Sequence, residues 1–143
     1  MKSLAEFEAQ LAAALAAVVP AIEIGLDKVG TLALTLAEHY PGTYQPGWPQ
    51  LADSTLKDKA AQGFPVPSPL KRTGEMAASY RKELEPVELA VVIGSADKVA
   101  LFQEIGTSRI PPRPVLSLAM TNSLPYAADV FGKIAVDLLR GKK

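Results

Sequence analysis

The residues able to do nucleophilic or acid–base chemistry are few and scattered. The chain has one histidine, His39, and no cysteine, which removes thiolate nucleophiles, thiolate metal sites and disulfides. Catalysis needs a nucleophile, a base and a group that orients the base, and no spacing in the sequence assembles such a set. His39 stands beside Tyr40 at an expected helix end, a place for a structural or solvent-facing imidazole. Glu83, Glu85 and Glu88 read as a solvated sheet edge, since charge alternating along one face of a strand is ordinary. Gly94-Ser95 after a strand is too short for a phosphate-binding loop. No enzyme activity, cofactor or metal is expected, and a small hydrolase is the remotest reading.

The basic residues cluster only as Lys71-Arg72, Arg81-Lys82 and Arg109 with Arg113. Lysine plus arginine equals aspartate plus glutamate, 15 each, so no bulk positive field exists to hold nucleic acid by counterion release. The clusters read as surface cations balanced by acids, and specific nucleic-acid binding is not expected. They still carry the alternative reading, a nucleic-acid-associated packaging or regulatory factor. Arg113 differs, because Pro112 and Pro114 flank it and hold the segment extended. A planar fork so placed suits a carboxylate, within the chain or across a subunit contact. Trp48 is either a partner's anchor or the closure of a core beneath a long loop, and the core is the favoured reading.

The elements that would position these residues are legible from periodicity. Ser3 and Glu6 form a capping-box pattern, which predicts a helix start. Leu4, Phe7, Leu11, Leu15, Val18 and Ile22 then recur at steps of three and four, one apolar stripe of an α-helix. Pro20 predicts a kink or a split. The pattern resumes through Leu26, Val29, Ala33 and Leu36 and stops at Tyr40-Pro41, giving a long bent helix or two in tandem over residues 1–39. The uncharged stretch Ala9 to Ile22 is shorter than the roughly 20 apolar residues of a membrane span. Glu6 and Glu8 also stand where a signal peptide carries positive charge, so a soluble chain with no membrane partner is expected.

Proline-rich loops are expected at 41–50 and 62–70, the second exposed, with a helix from Asp53 to Ala61 between them. Thr73 predicts the cap of a short helix to Ser79, and Tyr80 to Glu85 and Val87 to Ile93 predict an antiparallel pair of strands. Asp97 caps a helix through Ile105 that Gly106 stops. Residues 115–140 are helical in composition with an expected break at Asn122 to Pro125, and the basic tail Arg140, Lys142 and Lys143 suits a helix C-terminus. With 143 residues, 48% of them hydrophobic and 21% charged, one folded α+β domain is expected. It comprises a helical N-terminal region, an α+β core over 71–116 and a C-terminal helical segment over 117–143.

Several short motifs follow one another in order. They are Trp48-Pro49-Gln50-Leu51 with Thr55-Leu56 and Lys59; Leu70 with Thr73-Gly74 and Ser79; Val92-Ile93-Gly94-Ser95; Phe102-Gln103-Glu104-Ile105-Gly106-Thr107; and Ile110-Pro111-Pro112-Arg113-Pro114-Val115-Leu116. Their order and spacing over about half the chain resemble the tail-completion and virion-morphogenesis proteins of tailed bacteriophages, the neck and minor tail components. The chain departs from that pattern at Ala52, Val99-Ala100 and Val115. The resemblance implies a structural virion protein at the head–tail junction or tail end, assembled in the host cytoplasm, with no catalysis. It implies a homo-oligomeric ring, such as a hexamer, that contacts other neck and tail proteins. Trp48, Leu51, Lys59, Thr73, Gly74, Gln103, Glu104, Gly106, Thr107, Arg113, Pro114 and Leu116 are its motif and candidate interface residues. The long apolar helix and the Arg113 segment are the expected subunit patches.

Overall fold

The Ser3 hydroxyl accepts from the Glu6 amide at 3.2 Å while the Glu6 carboxylate accepts from the Ser3 amide at 2.7 Å. That reciprocal cap starts helix α1, Leu4–His39. The computed structural model describes residues 1–141, and Lys142 and Lys143 of the basic tail lie outside them. After α1 come helices α2 (Asp53–Ala61) and α3 (Glu75–Ala78), strands β1 (Tyr80–Glu85) and β2 (Ala90–Ser95), and helices α4 (Lys98–Ile105) and α5 (Leu116–Leu139). The fold is α+β and mostly helical: two long helices, a two-stranded antiparallel sheet and three short helices.

Of the two forms expected for the N-terminal region, α1 takes the single long helix and not the tandem pair, and the break expected at Asn122 to Pro125 is absent. α1 runs through Pro20 as one helix, and α5 runs through Pro125. A proline removes one amide donor and crowds the carbonyl four residues back, a local penalty that packing elsewhere outweighs. In α5 the packing is plain: the Asn122 amide donates to the Tyr40 hydroxyl at 2.7 Å, Ser123 is fully buried and Val130 nearly so. Phe131 and Ile134 lie over Gly25 of α1, where a Cβ would stand 2.7 Å and 2.9 Å from their ring and methyl carbons. Gly25 thus lets the two long helices approach closely.

The hairpin pairs Glu85 with Ala90 and Tyr80 with Ser95. β1 has the expected bounds, but β2 begins at Ala90 rather than Val87. Pro86 to Leu89 are consumed by the reversal: Leu89 takes a positive φ of 48° and Val87 is almost fully exposed. The sheet lies against the second half of α1, where Val91 and Lys82 cover Gly30. Lys82 donates to the Asp27 carboxylate at 2.5 Å and to the Thr31 hydroxyl at 2.8 Å. Helix α3 also starts later than expected. Gly74, with φ 94°, is its N-cap, while the Thr73 hydroxyl sits one position earlier and accepts from the Glu75 amide at 3.4 Å.

The core gathers Ala37 and Tyr40 from the end of α1, Trp48 from the first loop, Met76, Tyr80, Ala100, and Val115 and Ala119 from the start of α5. Trp48 therefore closes the core. The second proline-rich loop is anchored rather than exposed throughout, since Pro69 is fully buried and its carbonyl accepts from the Gly42 amide at 2.7 Å.

Candidate assembly surface and the motif residues

The twelve motif residues fall into two neighbouring groups. Leu51, Lys59, Thr73, Gly74 and Gln103 line one cavity of about 310 Å3, with Lys71 and Arg72 among its other walls. Lys59 is 3% exposed, and its ammonium donates to the carbonyls of Ser68 and Lys71. Burial, then the charge of Arg72, pushes its pKa below the usual lysine range. The ammonium pins the proline-rich loop to α2, because a buried cation must find acceptors. The Gln103 side-chain oxygen is buried without a partner among the described residues.

The second group surrounds the start of α5. Val115 is the N-cap there and offers no side-chain acceptor. Glu104 supplies one from α4: its carboxylate accepts from the amides of Val115, Leu116 and Ser117 at 2.7, 2.9 and 2.8 Å, and from the Ser117 hydroxyl at 2.5 Å. Burial raises the Glu104 pKa, but the bonds from Ser117, Leu116 and Val115 outweigh it and hold the carboxyl below its ordinary value. Pro114 accepts from the Trp48 indole at 3.2 Å. Gly106, with φ 73°, closes α4 where a Cβ would meet Pro112 at 2.9 Å. The Thr107 hydroxyl accepts from the amides of Arg109 and Ile110 in the following turn.

Arg113 departs from expectation. It is buried, with 5% exposed, and finds no carboxylate. Its Nε and Nη2 donate to the Pro49 carbonyl at 3.0 and 2.8 Å, and Nη2 also to the Gln50 carbonyl at 2.9 Å. The rigid Pro112–Pro114 frame aims the fork inward, where carbonyls that no helix or sheet satisfies take its protons. The Arg113 side chain is therefore a clamp between the Trp48 loop and α5, and it presents no patch to a neighbour. The other basic clusters are partly spoken for: Arg72 pairs with Asp58 at 2.7 Å and Lys82 with Asp27, and Arg81 donates to the carbonyls of Ala78 and Tyr80. His39 is exposed. No group of three or more histidines, aspartates or glutamates able to hold a metal occurs among the described residues.

A further surface feature is apolar and lies outside the motif. The first half of α1 projects past the core with its stripe uncovered: Leu4, Phe7, Leu11 and Leu15 are all more than half exposed. α1 contains a stretch long and apolar enough by composition to cross a membrane, and only 6% of that stretch is buried. The end of α5 runs back beside this arm, and Leu139 is 83% exposed. Two hollows flank the pair. One, of about 480 Å3, lies among Phe7, Leu11, Leu15 and Leu139; the other, of about 430 Å3, lies among Ala17, Ile24 and Ile134. The helical period alone shows the stripe of α1, but the Ile24 and Ile134 flank emerges only once α5 is seen to return along the arm.

No protein-family model, curated protein or solved structure matches the chain.

Proposed function

We propose that the protein is a structural component of a tailed-phage virion, working at the head–tail junction or tail end as a ring-forming oligomer. The observation that carries the reading is the uncovered apolar arm of α1. A monomeric soluble protein rarely exposes an apolar patch beyond a few hundred Å2, and this arm presents a row of large side chains with only the end of α5 beside it. Such a surface is made to be covered. The ordered motifs add support from the sequence, and the internally bonded motif residues describe a rigid body from which the arm projects. Its work is done by docking through complementary surfaces.

The reading is tested by native mass measurement of the purified chain, alone and after mixing with tail tubes that lack it. Multimers that join the tubes are the expected result. A chain that never associates with tails, or one that turns over a substrate through a single essential polar side chain, would remove the proposal. A duplex-DNA affinity that falls steeply with salt would favour the packaging or regulatory alternative instead.

A further inference from the structure

The cavity between α2, the second proline-rich loop and α4 is walled by two residues whose bonding is incomplete. One is Gln103: its side-chain oxygen is buried and has no donor among the described residues, a costly condition for an acceptor withdrawn from water. The other is Lys59. It is 3% exposed, and its ammonium gives two of its three protons to the Ser68 and Lys71 carbonyls. Those oxygens satisfy protons but bring no counter-charge, and no ion pair among the described residues includes Lys59. A buried cation ordinarily has a negative partner. We infer that the cavity receives an acidic side chain of a partner polypeptide, which sets its carboxylate against Lys59 and donates a neighbouring N–H to Gln103.

Size and charge narrow the occupant. At about 310 Å3 the cavity stands at the low end for small-ligand sites, room for one side chain with its peptide group. Glu75 and Asp97 share the wall. Neither pairs with Lys59, and Asp97 is occupied in capping α4 through the Val99 amide at 2.8 Å. Their charge disfavours a doubly charged phosphate and leaves the single charge of a carboxylate as the better fit. The surroundings favour a polypeptide over a free acid. On α4, Val99 and Phe102 share the face that carries Gln103 and are 51% and 44% exposed. A free amino acid would leave that apolar surface open, whereas a segment laid across α4 covers it. This inference does not depend on the assembly reading above, because the cavity lies in the body and not on the arm.

The test is a titration of the isotope-labelled full chain, followed by amide nuclear magnetic resonance. The probes are N-acetyl-glutamate N-methylamide, its glutamine counterpart and inorganic phosphate. The glutamate compound should shift the amides of residues 71–75 and 99–103 saturably, with a Kd of about a millimolar for a ligand of this size. The glutamine compound and phosphate should bind at least about tenfold more weakly. Lys59 pins the loop, so its removal would confound fold and site; Gln103→Leu separates them. It takes away a buried oxygen that nothing satisfies, so the urea midpoint should hold or rise while affinity for the glutamate compound falls about tenfold. Equal affinity for the glutamate and glutamine compounds, tighter binding of phosphate, or no saturable shift in the millimolar range would overturn the inference. So would a Gln103→Leu chain that binds as the parent does or unfolds at lower urea. Tail association is measured separately, so either reading can fail while the other stands.

Discussion

Glu104 and Arg113 hold the same joint from opposite sides. Glu104 gives the first turn of α5 the acceptor that Val115 lacks, at the end of a helix where its dipole favours negative charge. Its folded pKa lies below the ordinary 4.5, so its contribution is complete above that value and is lost as pH falls through the depressed folded pKa. Glu104→Gln keeps the shape and removes the charge. Urea unfolding at neutral pH should show a loss of about 1 kcal/mol, and the gap between variant and parent should close as the solution is acidified. A gap independent of pH would mean that the charge is irrelevant there. Arg113 works by geometry, with three bonds into two loop carbonyls. Arg113→Glu would bury an unpaired carboxylate beside those oxygens and so reports on folding, not on assembly.

At the scale of elements, the prolines inside the long helices mark where stability is held in reserve. Pro125 is exposed and lies within α5, so it lacks the amide that would donate to the Thr121 carbonyl. Pro125→Ala should restore that bond and raise unfolding stability by about 1–3 kcal/mol, read from the shift of the urea midpoint at constant slope. The same element shows why composition alone predicts a break that the helix does not have. A proline's penalty is visible in sequence, but the Asn122–Tyr40 bond and the buried Ser123 that offset it join residues about eighty positions apart in the chain. Local signals were readable: the Ser3–Glu6 cap, the start of α2 at Asp53, the bounds of β1 and the Asp97 cap of α4 all appear where their residue types demand. The start of β2 was not, because Val87 and Leu89 have strand chemistry and yet are spent in the turn. From sequence Arg113 points to a carboxylate, because the carbonyls it binds belong to a loop more than sixty residues earlier.

For the molecule as a whole, the proposed function divides the labour: the motif residues hold shape and the apolar arm offers contact. Leu11 and Leu15 of the arm are 51% and 66% exposed, so Leu11→Glu with Leu15→Glu should change unfolding stability by no more than about 0.5 kcal/mol each while removing self-association in native mass measurements. A large loss of stability would show that the arm belongs to the fold. The sequence announced the apolar stripe but not its exposure, since period alone cannot say whether a neighbour covers it.

α1 is one helix from the free arm to the buried Val29, Ala33 and Ala37, about 54 Å from end to end. The one weak point in that shaft is Pro20, which removes an amide donor near the place where the helix leaves the body. With the helix continuous through it, a grip on Leu4 would still bear on the tilt of Tyr40 and the indole packed near it at the far end.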